Sequence, residues 1–202
     1  VGTSPNTATS TYNSGTKAFA VTLAQVAPGQ SGTISFKVNV NTGVAPGTLN
    51  NTAPSSYNNG SGTTVTGSSN TVPFTVTQAA AVSMTGQTVA GPAAAGSTVS
   101  FTNAVTNGGN GTDTFNIALG TSTFPSGTTF QLFKSDGVTP LVDTNGDGKP
   151  DTGPMAAGAT YNVIVKATLP PNATNVGAPF TLQKTATSVV DSSKSASTTD
   201  QL

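Results

Sequence analysis

Apolar residues recur at every second position in two segments of the chain. Ile34, Phe36, Val38 and Val40 share one face of 33–41, with Thr33, Ser35, Lys37, Asn39 and Asn41 on the other. Val163, Val165, Ala167 and Leu169 repeat the pattern against Asn162, Lys166 and Thr168. A period of two with one polar face predicts a half-buried antiparallel strand. Weaker runs predict strands near 17–25, 48–53, 70–77, 80–90, 97–106, 112–119, 128–134, 138–142 and 179–190. Pro28-Gly29, Pro46-Gly47, Asn59-Gly60 and Asn107-Gly108-Gly109 punctuate them. Short strands at this spacing predict an all-β chain of antiparallel sandwiches, not a doubly wound sheet.

The chain also repeats itself. Residues 27–40, APGQSGTISFKVNV, align without a gap on 156–169, AAGATYNVIVKATL, so that Gly29 meets Gly158, Lys37 meets Lys166 and all four inward positions correspond. After a four-residue insertion, Thr48–Ala53 matches Thr181–Ala186. The repeat divides the chain into units 1–78 and 79–202, joined at Gln78-Ala79-Ala80-Ala81. The first unit has too few residues before its matching segment to hold leading strands. Asn70–Thr77 reads as the first unit's closing strand, whereas the second stops near Thr198–Leu202 without one, so both are expected to be clipped at their outer ends. Two explanations are expected: the chain is a window on a longer tandem array, or strands lent by a neighbouring subunit complete the units, because an open sheet edge is adhesive.

The segments APGQSGTISFKVNVNTGVAPGTLNNTA, SSNTVPFTVT, TNGGNGTDTFNIAL and LVDTNGDGKPDTGPMAAGATYNVIVKATLP resemble the immunoglobulin-like repeats of bacterial surface-layer and cell-envelope proteins. The resemblance covers most of the chain. It implies tandem immunoglobulin-like antiparallel β-sandwiches, the first lacking its leading strands, in an extracellular setting at a bacterial surface. It implies architecture and not a particular activity.

Composition narrows the chemistry. The 7 basic and 7 acidic residues are all Lys and Asp, the net charge is zero, and His, Cys and Trp are absent. This removes Ser-His-Asp and Cys-His catalysis, disulfides and ordinary zinc or haem sites. Without Arg or a basic cluster, no nucleic-acid partner is expected. No apolar run reaches 18 residues, so no membrane span is expected. Val1-Gly2-Thr3-Ser4 has neither the basic nor the apolar region of a leader. No acid precedes Asp113, so the first unit holds no carboxylate pair for acid–base catalysis. The chain is read as non-enzymatic.

One motif carries ligand chemistry. Asp143-Thr-Asn145-Gly-Asp147-Gly148-Lys149-Pro-Asp151 matches the D-x-[DN]-x-D-G opening of a calcium loop. Alternate oxygens in a tight loop converge on a hard cation: Asp143, Asn145, Asp147, the Lys149 carbonyl and Asp151, with structural calcium as the expected ion. Pro154 stands where a bidentate Glu would close the site, leaving water, Asp113 or Asp136 to complete it.

Lys37 and Lys166 fall on polar faces, which argues against a covalent side-chain cross-link through either and for solvated, edge-protecting lysines. Tyr12, Tyr57 and Tyr161 are the only tyrosines, a poor platform for sugars, and Tyr161 is expected to pack at the start of its strand. Sequon triplets at Asn50, Asn59, Asn110 and Asn172 permit glycosylation. The leading functional expectation is a structural subunit that self-assembles through strand edges or sandwich faces, alone or with other envelope components, into a surface layer or filament. The alternative is an adhesive module on a surface stalk.

Overall fold

The computed structural model describes residues 8–175 and 177–202; the leader reading at Val1–Ser4 lies outside the described residues. The chain divides into two compact units, residues 1–40 and 41–202, which places 41–78 with the C-terminal unit.

In the first unit, β1 (Ala8–Asn13) and β2 (Ala18–Leu23) form an antiparallel hairpin with Ala8 opposite Leu23 and Asn13 opposite Ala18. The Asn13 side chain closes the turn, its Oδ1 accepting the N–H groups of Gly15 at 2.9 Å and Thr16 at 3.1 Å. This is the local side-chain-to-backbone bonding that makes Asn a turn former. Phe19 packs on Phe36 with ring centroids 5.5 Å apart.

The strand expected at 33–41 does not form: residues 32–41 carry no ladder, and Ile34, Phe36, Val38 and Val40 are 54%, 51%, 74% and 44% exposed. Alternation gives a strand only where a neighbour takes up the backbone groups and a second layer covers the apolar face. Among the described residues, this unit supplies neither.

In the second unit, β3 (Gly47–Asn51) pairs with β6 (Val72–Val76), and β4 (Pro54–Asn58) with β5 (Thr64–Ser68), as separate two-stranded ladders. Seven strands follow: β7 (Val82–Met84), β8 (Thr98–Asn107), β9 (Phe115–Ser122), β10 (Thr129–Phe133), β11 (Thr160–Thr168), β12 (Thr181–Ser188) and β13 (Ser195–Gln201). They form antiparallel sheets of order β10-β11-β8-β7 and β13-β12-β9. Lettered A to G in chain order, these read D-E-B-A and G-F-C, the constant-type immunoglobulin arrangement. The protein is all-β.

The expectation that this unit lacks a closing strand is corrected by β13, which pairs with β12 from Thr181–Gln201 to Thr187–Ser195. Its composition hid it: SASTTDQ offers no large apolar residue. The expected strand at 138–142 is instead a return loop, with an isolated bridge between Phe133 and Pro140 and the Leu141 side chain buried.

Alternation sets the core. β8 turns Val99, Phe101, Asn103, Val105 and Asn107 inward, and β12 turns Leu182, Lys184, Ala186 and Ser188 inward. Two apolar clusters bridge the sheets. One gathers Val99, Phe101, Phe124, Val165, Ala167, Leu169, Phe180 and Leu182; the other gathers Val105, Phe115, Ile117, Leu141, Met155, Val163 and Ala186. Phe124 anchors the first, edge-on to Phe101 at 6.2 Å and to Phe130 at 5.4 Å. Each buried Phe contributes about 1.5–3 kcal/mol through area alone. Tyr161 packs against the second cluster, as expected.

Three of the sandwich's four edge strands, β13, β9 and β10, are partly covered by the chain itself, which blunts pairing with other chains. Past β7 the chain crosses sheets: Thr88 bridges Gln201 in parallel, and Val89 N–H donates to the Gln201 carbonyl at 2.8 Å. Along β9, Ile117 N–H donates to the Pro150 carbonyl and Thr152 N–H to the Phe115 carbonyl. Along β10, Leu141 N–H donates to the Leu132 carbonyl.

Candidate functional site

The loop between β10 and β11 carries the calcium-type motif. Its C-terminal end is sutured to β9 by the Pro150 and Thr152 bonds and the Asn116–Asp151 bridge, its N-terminal end to β10 through Leu141, and Asp151 N–H donates to the Val142 carbonyl at 3.0 Å, so the intervening residues must curl. Gly146 and Gly148 supply the curl with φ of 82° and 83°, the left-handed region that glycine enters at little cost.

The motif side chains wrap the loop from within. Asp143 Oδ1 accepts the N–H groups of Asn145 at 3.0 Å and Gly146 at 2.7 Å, while Oδ2 accepts Gly148 N–H at 2.7 Å. These backbone donors, Gly148 first, hold the Asp143 carboxyl below its ordinary value. Asn145 Oδ1 accepts Asp147 N–H at 2.9 Å, and Asp147 Oδ1 accepts Lys149 N–H at 3.0 Å. Asp147 Oδ2 takes the Asn116 side-chain amide.

Asp151 plays a different part. It is buried, and its Oδ1 accepts the Thr144 hydroxyl and Gly153 N–H, both at 2.6 Å. Its Oδ2 accepts Thr144 N–H at 2.7 Å. It clamps one end of the loop to the other, while Asp143, Asn145 and Asp147 occupy the exposed turn. A carboxylate offers about four lone-pair sites, so Asp143 and Asp147 keep capacity for a hard cation beyond these bonds. Among the described residues, no group of three or more acidic side chains gathers as a ready-made cage.

The two distant acids are engaged elsewhere. Asp113 is buried, with Oδ2 accepting the Ser188 hydroxyl at 2.6 Å and Oδ1 accepting Thr114 N–H at 2.7 Å. Asp136 is exposed, and its Oδ2 accepts the Thr139 hydroxyl at 2.6 Å while Oδ1 accepts the N–H groups of Val138 and Thr139. The Thr139 hydroxyl, followed by these amides, pulls its carboxyl down to about 2.

Lys166 lies on the outward face of β11, its Nζ 4.8 Å from the Phe133 ring centroid, whereas Lys37 is exposed in a segment that forms no strand. Sequence reasoning passed over Lys184. Its side chain is 0% exposed and its Nζ lies 2.8 Å from Asp200 Oδ1, also at 0%. Asp200 Oδ1 further accepts Gln87 N–H at 2.8 Å, and Oδ2 accepts the Asn103 side-chain amide at 3.2 Å. The signal was present in the alternation of Leu182, Lys184 and Ala186, which puts the lysine on the inward face.

No family model matches the chain, and no curated protein matches it. Among solved structures, the ASH/PapD-like domain of human CEP192 (PapD-like domain 7) is similar at 11% identity and a TM-score of 0.34, over 60% of this chain and 81% of that one.

Proposed function

We propose that this chain is a structural, non-enzymatic component of a bacterial cell surface, assembling with copies of itself into a surface layer or extracellular filament. The observation that carries this reading is the uncovered apolar face of residues 34–40. Val163, Val165 and Ala167, the repeat equivalents of Ile34, Phe36 and Val38, are fully buried in the second unit. The same sequence pattern is therefore finished in one place and unfinished in the other. Leu49, Val72 and Phe74 on the β3–β6 ladder are also exposed. Because three of the sandwich's four edge strands are partly covered from within, assembly runs through residues 8–76, whose two-stranded ladders offer free edges among the described residues. The absence of His and Cys and the lack of net charge agree with a role in packing rather than catalysis.

In the same reading, calcium braces the 143–151 loop. Asp143, Asn145, Asp147 and the Lys149 carbonyl form a hard-oxygen set suited to that ion, water completes the coordination, and Asp151 holds the loop ends together. No helix is long and apolar enough to cross a membrane among the described residues.

The assembly reading is tested by sedimentation velocity of the chain beside Phe36→Ser/Val38→Ser. Concentration-dependent oligomers that the double substitution abolishes support it. Equal monomeric behaviour of both proteins overturns it.

A further inference from the structure

The side of the sandwich between β9 and β10 is open. A cleft of about 500 Å³ runs along the β9 edge there, lined by Asn116, Ile117, Ala118, Leu119, Leu132 and Pro150 among others. Its backbone is unfinished. Ile117 N–H is taken by the Pro150 carbonyl, so Ile117 bonds away from β12. Leu119, two residues on, bonds in the same direction, because antiparallel ladders alternate. Among the described residues, no backbone group outside the sheet takes its N–H or its carbonyl. The loop cover stops at Ile117, and the β9 edge continues bare.

The polar side of the cleft is unfinished too. Asn116 is 8% exposed, and its Oδ1 is a buried side-chain atom without a hydrogen-bond partner among the described residues. Its amide nitrogen is spent on Asp147 Oδ2. A buried acceptor left unmatched is costly, and one beside a carboxylate calls for a cationic donor. The chain carries a segment with both missing complements. Residues 34–40 make no ladder, expose an apolar face, and hold Lys37, the only charged residue between Lys17 and Asp113.

We propose that residues 34–40 of one copy add as an antiparallel strand to the bare Ala118–Ser122 stretch of β9 in a second copy. The inference rests on the self-assembly reading and names the surface that receives the segment. With Phe36 opposite Leu119, the added backbone takes the free Leu119 groups, and Phe36 leaves its contact with Phe19 to enter the cleft beside Leu119 and Leu132. Period two then sets Lys37 opposite Ala118, on the face of β9 that also carries Asn116. Its ammonium reaches Asn116 Oδ1 and meets the neighbouring Asp147 carboxylate. Donor and acceptor are different surfaces of one chain, so the contact is head-to-tail. Each copy receives one segment and offers another, which propagates a filament rather than closing a two-fold dimer.

The chain has no cysteine, so single substitutions place unique thiols. Full chains carrying Lys37→Cys are mixed with full chains carrying Ala118→Cys, both at exposed positions, and oxidised mildly. The substitutions spare the apolar face and the backbone pairing. Opposed residues outside the hydrogen-bonded pairs lie about 4.5 Å apart at Cα, within disulfide reach. The expected product is a 37–118 disulfide between two chains. It should form at least about tenfold faster than a 37–193 disulfide made with Ser193→Cys, because docking holds the thiols near millimolar effective concentration. Equal rates in chains that still oligomerise in sedimentation overturn this docking and leave the self-assembly reading standing. Equal rates in chains that sediment as monomers overturn both. A chain bearing both Lys37→Cys and Ala118→Cys that closes on itself in preference to pairing also overturns the proposal, since the occupant would then be its own segment.

Discussion

Replacing Asp151 with alanine isolates the clamp of the 143–151 loop from any ion the loop holds. The substitution deletes three short bonds, to the Thr144 hydroxyl and Gly153 N–H at 2.6 Å and to Thr144 N–H at 2.7 Å. A hydrogen bond to a charged group contributes about 1.5–3 kcal/mol. Thr144 is exposed and recovers water at both donors, so its two bonds count near or below the low end; Gly153 is half-buried and recovers less. The expected loss is about 3 kcal/mol, and at about 2–4 °C per kcal/mol for a protein of this size the midpoint falls by about 9 °C. Thermal unfolding followed by circular dichroism, in calcium and in chelator, reads it. The drop should be the same in both, because the clamp contains no ion. A fall of under about 1 kcal/mol, or one seen only in calcium, would refute the assignment of Asp151 as a clamp.

Asp147→Ala should lower the stability in chelator by about 1–3 kcal/mol, through the lost bonds from Lys149 N–H and the buried Asn116 amide. It should also remove the calcium-dependent rise, worth about 1.4 kcal/mol at ten times the dissociation constant; a calcium response that survives would exclude Asp147 as a ligand. Asp136 should titrate near 2 by carboxyl NMR. Its folded value lies below the ordinary 3.8, so its contribution to stability is complete above that value and fades as pH falls through about 2. Thr139→Val should move the titration up toward 3.8, and an unmoved curve would contradict the hydroxyl as its main cause. Gly86→Ala should destabilise the sandwich by about 1–3 kcal/mol, because its Cβ would overlap the Thr199 carbonyl oxygen and press on β13. A neutral outcome in chemical denaturation would show that this crossing strand gives way freely.

The sandwich was legible wherever large apolar residues alternate. The inward set of β11, Val163, Val165, Ala167 and Leu169, is buried as read. The same period misled at 33–41, because alternation describes a surface and says nothing about whether another layer covers it. Polar strands escaped for the opposite reason: β4, PSSYN, and β13, SASTTDQ, owe their pairing to neighbours rather than to their own residues. At the loop, motif spacing located Asp143, Asn145 and Asp147 on one turn, but spacing alone did not separate them from Asp151, which the suture to β9 draws inward. Lys184 was missed because 179–190 was read only as a strand and its two faces were not separated; Leu182 and Ala186 put the lysine on the inward one.

Electron microscopy of the purified chain by negative stain, in millimolar calcium and after chelation, tests the central claim most directly. The account expects ordered sheets or filaments built from the chain alone, with residues 34–40 buried between copies. Dispersed single particles in both conditions, at concentrations well above micromolar, would contradict a self-assembling structural role.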